Sequence, residues 1–452
     1  MSLAARRVLY IFFLLAFFIT TPLVMFYAAG YKFSFSMSHP FNIQKTGMLI
    51  LDTEPKGAKI YLNGESQQFF LNKIFGKNEG HITTPAKIKN LLPGEYDVRI
   101  SLPGYWDWQK KLTIKAGEST YAEDVYLFRN NLPIPLLIED IKESAISPNR
   151  KFMAVKTAAT IKIIDLDNEE IISFDHGTDG SPILWSADSK KIIVNKYLYN
   201  VNKEKTDLNK ITEAKAIDFK WDYNSNKLYY LNPENGSFSI KSYDFFTLST
   251  KTLFTSVSMD EIIDFFIKDG NIYVLNKIND STRLNIYNQK NLTASIELLD
   301  SNDYSFINID NNYLNLLNKN LHKIYLINPR SNFQIEEIID ANRISWINEE
   351  LYIAANDFEI WLNNLKTKER ILLTRISSPI NEAIWHPSNN YVIFSTDNYI
   401  STIELDDREK RNVTELIKLE QINSMTYNKK GNALYFKTKI NNQEGLYKLV
   451  IN

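Results

Sequence analysis

The sequence predicts an all-β chain behind a single membrane-spanning helix, with a small β-sandwich first and then a β-propeller of eight blades, or seven as the alternative. Three observations carry this prediction. An uncharged apolar run lies near the N-terminus, short strands with period-two alternation follow it, and a unit of about 40 residues then recurs to the end. A length of 452 residues also exceeds what one hydrophobic core usually supports.

Composition limits the classes of function open to the chain. Lys plus Arg (52) and Asp plus Glu (53) nearly cancel, so the protein lacks the basic field that attracts nucleic acid, and we expect none to bind. The absence of cysteine excludes disulfides, thiolate metal ligands and cysteine nucleophiles. Tyrosine (25) and phenylalanine (26) are abundant whereas glycine (15) is scarce, which favours strands and leaves most turns to Asn and Asp.

The apolar run near the N-terminus is long enough to cross a bilayer. From Val8 to Ala29 no residue is charged. About 22 helical residues at roughly 1.5 Å each span about 33 Å, the thickness of a hydrocarbon core. Arg6 and Arg7 precede the run without any acidic residue, so the positive-inside rule places the N-terminus in the cytoplasm.

We therefore predict a cytoplasmic tail over residues 1–7 and a transmembrane signal anchor over 8–30, with Tyr27 and Tyr31 as interfacial anchors. The alternative is a cleaved signal peptide, whose apolar region is shorter and precedes a small-residue cleavage site. Here the apolar run is longer than that, and the only small cluster, Ala28-Ala29-Gly30, sits beyond the usual length of such a region, which favours the retained anchor. The remaining chain then lies outside the cytoplasm at the cell membrane, beginning with a juxtamembrane stalk over residues 31–46.

Residues 47–128 show the pattern of a small β-sandwich. Val98 and Ile100 alternate with polar neighbours, as do Leu112 and Ile114. This alternation is typical of a strand with one buried face. Turn chemistry separates the strands, including an Asn63-Gly64 corner. Several short strands bounded in this way predict a sandwich of about 80 residues.

This segment resembles the PEGA domain, a small β-sandwich of envelope and surface proteins. The likeness rests on Thr53–Glu65, where Lys56 stands in place of the family's acidic residue, and on Thr83–Trp108. Ser66–Ile82 departs from the pattern as a longer insertion. The resemblance implies adhesion or interaction, and it transfers no catalytic residues.

An aromatic cluster follows the Pro103-Gly104 turn and forms the candidate binding surface of the sandwich. Strand alternation predicts that Trp106 and Trp108 share one face while Tyr105 takes the other. Exposed rings would stack on a sugar or a peptide, whereas the favoured interpretation is core packing at the start of a strand.

Residues 129–452 contain a repeat with a period near 40 residues. Each unit has an apolar or aromatic anchor, a polar turn and an apolar strand. The units begin at Ala145, Leu184, Lys220, Phe265, Phe306, Ser345, Ile384 and Thr426. Eight such units predict a propeller with four short strands per blade. The units at Phe265 and Phe306 are weak, so seven blades is the alternative.

The two ends of the repeat predict how the ring closes. The last unit is one strand short of a full blade, while Leu132–Ile138 precedes the first unit without an assignment. We expect these segments to pair, because pairing removes two open edges. The anchors Trp185-Ser186 and Trp385-His386-Pro387 resemble the repeats of TolB-type propellers, which bind proteins; the units lack the WD40 pattern.

No motif in the sequence identifies a catalytic or metal site. The five histidines lie in different units without metal-ligand spacing, and no nucleophile elbow or phosphate loop is present. We interpret His386 as structural, and acidic pairs such as Asp406-Asp407 as turn caps. We therefore expect neither a cofactor nor a metal.

The function predicted is that of a membrane-anchored binding or scaffold protein of the cell envelope, with an envelope protein or a cell-wall glycan as partner. The protein is then not an enzyme. The alternative is a propeller-type glycan hydrolase or lyase at the cell surface. Three or more carboxylates converging at one mouth of the propeller would favour the enzyme.

Overall fold

The computed structural model describes residues 3–36, 39–68, 80–176, 180–212, 215–222, 226–234, 237–256, 261–278, 281–288, 290–298, 303–307 and 312–452. The chain divides into two compact units. The first unit comprises Met1–Asn131, Glu404–Thr414 and Asn452, and the second comprises Leu132–Ile403 and Glu415–Ile451.

The first unit begins with helix α1 (Leu3–Ala28), which contains the apolar run except its last residue, Ala29. Its window Ala5–Ala28 is apolar enough to cross a membrane, and none of that window is buried inside the protein. At about 1.5 Å per residue, Arg7 and Tyr27 lie about 30 Å apart along the axis, which matches a hydrocarbon core. The helix ends where Gly30 adopts a left-handed backbone, with φ of 82°.

Strands β1 (Tyr31–Ser36) and β2 (His39–Lys45) pair as an antiparallel hairpin. This segment is therefore a hairpin, where we had expected an extended stalk. The ring of Tyr31 contacts that of Phe26 in α1 at 5.7 Å, and Gly30 O accepts hydrogen bonds from Thr46 N and Thr46 Oγ1, both at 2.7 Å. These contacts join the end of the helix to the start of the sandwich.

The sandwich consists of two sheets. Its strands are β3 (Gly47–Glu54), β4 (Lys59–Leu62), β5 (Glu65–Ser66), β6 (Ala86–Leu91), β7 (Gly94–Ser101), β8 (Trp108–Ile114) and β9 (Ser119–Tyr126). One sheet has the order β6-β3-β9 and the other β5-β4-β7-β8. Val98, Ile100, Leu112 and Ile114 are buried in the core between them, as the alternation predicted.

The second unit begins with β10 (Ile134–Leu137) and continues as a series of four-stranded blades. Blade 1 contains β11 (Ile141–Ile146), β12 (Phe152–Thr157), β13 (Thr160–Asp165) and β14 (Ile171–Asp175). Blade 2 contains β15 (Leu184–Trp185), β16 (Lys191–Val194), β17 (Tyr197–Asn200) and β18 (Lys205–Asp207), and a 3-10 turn (Leu208–Lys210) follows it. Blade 3 contains β19 (Ile217–Trp221), β20 (Lys227–Glu234), β21 (Ser237–Asp244) and β22 (Ser249–Thr255).

Four further blades follow the same pattern. Blade 4 contains β23 (Glu261–Lys268), β24 (Asn271–Ile278), β25 (Ser281–Asn288) and β26 (Asn291–Leu298). Blade 5 contains β27 (Tyr304–Ile307), β28 (Leu314–Asn318), β29 (Lys323–Asn328) and β30 (Gln334–Asp340). Blade 6 contains β31 (Arg343–Trp346), β32 (Leu351–Ala355), β33 (Glu359–Asn364) and β34 (Arg370–Arg375). Blade 7 contains β35 (Ile380–Trp385), β36 (Tyr391–Thr396), β37 (Tyr399–Glu404) and β38 (Val413–Lys418).

Blade 8 closes the propeller. Its strands β39 (Glu420–Tyr427), β40 (Ala433–Ile440) and β41 (Gln443–Val450) are completed by β10, which pairs antiparallel with β41. The predicted pairing of Leu132–Ile138 with the C-terminal strand is thus confirmed. Within the described ranges the propeller contains eight four-stranded sheets, so both weak repeats are blades and eight is correct.

Apolar contacts between neighbouring blades form the propeller core. Leu137 and Tyr435 of blade 8 pack with Met153 and Val155 of blade 1, which joins the ends of the ring. The anchor tryptophans add hydrogen bonds between blades: Trp185 Nε1 donates to Ala145 O at 2.9 Å, and the equivalent Trp221 donates to blade 2. Successive first strands, such as β31 and β35, are in contact and therefore line the axis.

Asn and Asp form the turns that link the third and fourth strands of the blades. We call these the outer turns. Their first residue accepts a hydrogen bond from the backbone N–H two positions later, which satisfies a turn donor without glycine. The residues in this role are Asp165, Asn200, Asp244, Asn328, Asn364 and Asp406. Low glycine content is therefore compatible with many tight turns, as expected.

Candidate interaction surfaces

The residues predicted to anchor the chain lie at the two ends of α1. Arg6 and Arg7 are exposed near its start. Tyr27 is 58% exposed in its last turn, and Tyr31 follows it in β1. Cationic and aromatic side chains therefore bracket a bare apolar helix, which is the distribution found at the two interfaces of a bilayer.

The structure places the three predicted aromatic residues in different environments. Trp108 is only 5% exposed and belongs to the sandwich core. Tyr105 packs partly against the same core, whereas Trp106 lies half-buried outside it. The expected pairing of Trp106 with Trp108 on one face is wrong, because β8 begins only at Trp108 and strand alternation does not extend back to the two earlier residues.

Tyr105 and Trp106 remain the accessible part of this cluster. The guanidinium of Arg129 lies 5.6 Å from the Tyr105 ring, and Arg129 Nε donates to the Tyr105 hydroxyl at 3.2 Å. Trp106 N donates to Phe128 O at 2.8 Å, while Trp106 Nε1 is buried without a hydrogen-bond partner among the described atoms. The backbone of this surface is therefore held in place while one indole donor is unused.

A buried charged cluster in the first unit escaped the sequence analysis. Lys110 lies between Trp108 and Leu112 on the inward face of β8, and its side chain has no exposed surface. Its ammonium contacts Glu404 Oε2 at 2.9 Å and Asp406 Oδ2 at 3.3 Å, and donates to Asp406 O at 2.7 Å. The sequence signal that could have revealed this cluster is Lys110 itself, because it occupies a position where the alternation of β8 predicts an apolar residue.

The carboxylate of Glu404 is also fully partnered. Trp108 Nε1 donates to Oε1 at 3.0 Å, and Asn412 Nδ2 donates to Oε2 at 2.9 Å, the oxygen that faces Lys110. A buried ion pair is tolerated only when its remaining donors and acceptors are satisfied. This cluster meets that condition, so its role is structural.

The loop 404–414 also covers open strand edges of the sandwich. Lys111 N donates to Glu409 Oε2 at 2.6 Å at the edge of β8. Arg408 Nη1 donates to Tyr121 O at 2.7 Å in β9, and the same guanidinium is held by Asp406. Unpaired edge groups of both sheets therefore receive side-chain partners.

Charged side chains on the first strands of the propeller are mostly paired with each other. Lys220 contacts Asp264 at 2.8 Å and Asp218 at 3.4 Å. Asp264 also accepts from Phe265 N and from Phe306 N of blade 5, at 2.9 and 2.8 Å. The carboxylate of Asp264 therefore ties blades 3, 4 and 5 together.

Blade 1 has a comparable contact. Glu143 pairs with Lys156 at 3.0 Å and accepts from Ile183 N of the segment entering blade 2, also at 3.0 Å. These interactions have an evident structural purpose, since each one joins consecutive elements of the ring. They leave fewer free carboxylates for chemistry.

Glu382 is a further acidic residue of the first strands and lies on β35. Burial raises its pKa, and the charge of Arg343 on β31 partly opposes that rise. A carboxyl group with a raised pKa is the type of group that serves as a general acid. Among the described residues no group of three or more His, Asp or Glu side chains is arranged to hold a metal ion.

His386 is buried in the second unit and linked to backbone groups. Its Nε2 donates to Gly431 O at 2.9 Å, and its Nδ1 accepts from Ser388 N at 3.2 Å. Burial lowers its pKa to about 4, against a smaller opposing effect of the Gly431 hydrogen bond. The imidazole is therefore neutral at ordinary pH and joins blades 7 and 8.

Comparison with known proteins identifies the class of the first unit. Residues 73–125 match the PEGA domain family, which confirms the resemblance drawn from the sequence. The match begins after the Thr53–Glu65 motif, although β3 and β4 of that region belong to the same sandwich. No curated protein sequence is significantly similar to the chain.

Several solved structures are similar to the chain at low identity. They include the structure of the Dos1 propeller, with 12% identity, coverage of 72% of this chain and 96% of that chain, and a TM-score of 0.48. The crystal structure of the eukaryotic initiation factor has 11% identity, coverages of 69% and 85%, and a TM-score of 0.46. The dihydro-heme d1 dehydrogenase NirN in complex with DHE has 13% identity, coverages of 68% and 74%, and a TM-score of 0.47.

The chain thus combines an apolar N-terminal helix, a PEGA domain within a β-sandwich, and an eight-bladed β-propeller. Similarity at the level of these structures carries no argument about function.

Proposed function

We propose that the protein is a membrane-anchored scaffold of the cell envelope, whose sandwich and propeller bind partners outside the cytoplasm. The observation that carries this proposal is α1. Its apolar surface is uncovered by protein over Ala5–Ala28, and arginines and tyrosines bracket it. Exposing such a surface to water is costly, whereas a bilayer accepts it.

Arg6 and Arg7 support an orientation with residues 1–7 in the cytoplasm and 8–30 in the membrane. Residues 31–46 then form a hairpin outside the membrane, followed by the sandwich over 47–128 and the propeller over 129–452. This arrangement makes the protein a single-pass membrane protein with most of its mass extracytoplasmic.

The contacts of the acidic side chains fit a binding protein better than an enzyme. The carboxylates of Asp264, Glu143 and Glu404 are engaged in structural contacts, each within 3.0 Å of a lysine. The partner we propose is an envelope protein or a cell-wall glycan, and Tyr105 with Trp106 is the surface of the sandwich suited to stack against it.

The orientation is tested by labelling single cysteines, which the absence of native cysteine makes unambiguous. The outer layers of the cells are opened while the cell membrane stays intact. A cysteine replacing Glu123 should then react with an impermeant maleimide, whereas one replacing Ser2 should react only after the cell membrane is permeabilised. Recovery of the Ser2→Cys chain at full length distinguishes a retained anchor from a cleaved signal peptide. Labelling of Ser2→Cys in intact cells, or protection of Glu123→Cys, would overturn the orientation.

The partner surface is tested separately by crosslinking in membranes. Tyr105→Ala with Trp106→Ala should reduce capture of an envelope protein or a glycan several-fold, while the chain stays in the membrane. Arg99→Ala, on the neighbouring strand, serves as the control. Unchanged capture by the double variant would exclude this surface.

A glycan hydrolase or lyase is the second candidate, favoured by one observation. Glu382 is a carboxyl group on a first strand whose pKa burial raises, so it suits proton donation to a leaving group. The purified chain would then release new reducing ends from cell-wall glycan, and Glu382→Gln would abolish that release. Absence of release by the unaltered chain argues for the scaffold.

A further inference from the structure

The outer turn of blade 3 exposes two large apolar side chains. Phe246 is 91% exposed and Leu248 is 73% exposed. The turn is well ordered by hydrogen bonds, because Asp244 Oδ1 accepts from Phe246 N at 2.9 Å and from Thr247 N at 3.1 Å. Both side chains therefore project from a fixed hairpin and not from a flexible loop.

The outer turn of blade 6 is a matched counterpart within the same chain. Asn364 Oδ1 accepts from Lys366 N and from Thr367 N, both at 3.0 Å. The fifth residue is left-handed in both turns, with φ of 51° for Leu248 and 58° for Lys368. The two turns share one geometry, in which Lys366 and Lys368 occupy the positions of Phe246 and Leu248.

The other comparable outer turns are also polar at the third position. The residues there are Asp167, Asn202, Arg330, Lys366 and Arg408. Turn geometry therefore does not require an apolar residue at this position, and blade 3 places two strongly exposed apolar side chains on one turn. Contact with an apolar environment would explain why these two apolar side chains are exposed on the turn.

Three lysines lie near the base of the tip, beside the single carboxylate of Asp244. Lys227 pairs with Asp244 in the strand ladder, and Lys251 on β22 pairs with Ser242; both lysines are exposed. The ammonium of Lys191 lies 4.5 Å from the ring centroid of Phe245, at the base of the turn. An apolar tip with a basic flank is complementary to a bilayer that contains anionic lipid.

The small area of the tip favours a bilayer over a protein as the surface that it contacts. A phenylalanine side chain buries about 200 Å², and with one leucine the tip stays far below the roughly 800 Å² that each partner contributes to a stable protein interface. A small contact is sufficient when the chain is already tethered, because tethering raises the effective concentration of the second contact.

We propose that the outer turn of blade 3 inserts Phe246 and Leu248 into the interfacial layer of an anionic bilayer, as a second membrane contact of the chain. This inference rests on the proposed membrane anchoring by α1. It adds a specific contact made by the propeller unit.

The test uses the full chain reconstituted in vesicles of phosphatidylcholine with about 30 mol % phosphatidylglycerol. An environment-sensitive fluorophore is attached at Thr247→Cys or, as the matched control, at Thr367→Cys in blade 6. Doxyl-labelled lipid should quench the fluorophore at position 247 several-fold more than that at position 367. Equal quenching at the two positions overturns the proposal.

A turn with lysines in place of the two apolar side chains provides the second test. F246K with L248K reproduces the lysines of blade 6, which the same turn geometry accommodates, so the fold is retained. Quenching at position 247 should then fall to the level of position 367. Quenching that is unaffected by these two substitutions overturns the proposal.

Two further outcomes separate this inference from the proposed function. If the chain is extracted from the vesicles by alkaline carbonate, the anchor itself has failed. If it resists carbonate but the fluorophore at position 247 stays in water, only the turn inference fails. Shielding that grows with protein concentration in detergent without lipid would instead indicate a second copy of the chain as the occupant, and would overturn the proposal.

Discussion

The sandwich and the propeller protect their open strand edges in different ways. At the sandwich, side chains of residues 404–414 cover the edges, with Glu409 accepting from Lys111 N and Arg408 donating to Tyr121 O. At the propeller, backbone pairing of β10 with β41 closes the ring. A ring can close with its own first strand, whereas an open sandwich needs another segment of chain.

The two solutions differ in what they bury. Closure of the ring buries apolar residues such as Leu137 and Leu446. Covering the sandwich edge buries charge, because Lys110 has no exposed side-chain surface and Glu404 has 5%. The charged contact at the sandwich edge is stabilising only when every partner is present, whereas the apolar contact that closes the ring depends on close packing.

The largest expected effect is that of Lys110→Met. Removal of the cation leaves Glu404 buried without its counter-charge, so the free energy of unfolding of the first unit should fall by about 3–5 kcal/mol. Urea unfolding of the detergent-solubilised chain, followed by tryptophan fluorescence, measures this. Lys111→Met is the control, since that neighbouring side chain is exposed and its loss should cost about 0.5 kcal/mol or less. Equal effects of the two variants would show that the buried pair is not important.

Gly445→Ala tests the closure of the ring and should have the next largest effect. A Cβ at this position would lie 2.2 Å from Leu137 O and 3.1 Å from Ile138 Cα, so β10 must move away from β41. We expect a loss of about 2 kcal/mol and faster hydrogen exchange in β10. Gly180→Ala is the matched control, because a Cβ there meets open space. Unchanged exchange in β10 would contradict the assigned role of this pairing.

The pH dependence of the loop contact is the third prediction. Burial by itself raises the pKa of Asp406, but the hydrogen bonds of Arg408 and the charge of Lys110 lower it to about 2, below its ordinary value of 3.8. A lowered pKa stabilises the folded state above about pH 4, and this stabilisation is lost as the pH falls towards 2. The change should be about 2 kcal/mol, somewhat reduced by solvent at this partly exposed side chain.

Asp406→Asn should remove that part of the pH dependence between pH 5 and pH 2 in unfolding curves of the first unit. Asp407→Asn is its control, since Asp407 is 78% exposed. A slope that persists in Asp406→Asn would assign the acid sensitivity to other carboxylates.

The smallest effect is expected for Glu409→Ala. Lys111 N loses its acceptor at the edge of β8, but water can replace it, so stability should change by about 0.5–1 kcal/mol. Exchange of the Lys111 amide hydrogen should nevertheless accelerate several-fold. An amide that remains protected would mean that the edge is covered without this contact.

The sequence predicted most of the fold because its signals are local. The alternation of Val98 and Ile100 with polar neighbours identified a half-buried strand, and the scarcity of glycine indicated turns built on Asn and Asp. The unassigned segment Leu132–Ile138 predicted the closing strand. Alternation failed at Tyr105 and Trp106, because these residues precede β8 and a local pattern does not mark where a strand begins to pair.

By itself, the sequence determined the apolar helix, the strands and a repeat of about 40 residues, since periodicity and composition act through neighbouring residues. Only the tertiary structure decided which polar groups became partners. Lys110 and Asp406 are separated by 296 positions, and no local pattern relates two residues so far apart. Their pairing depends on the folded chain bringing one outer turn against an open strand edge, where burial makes the charges interact strongly.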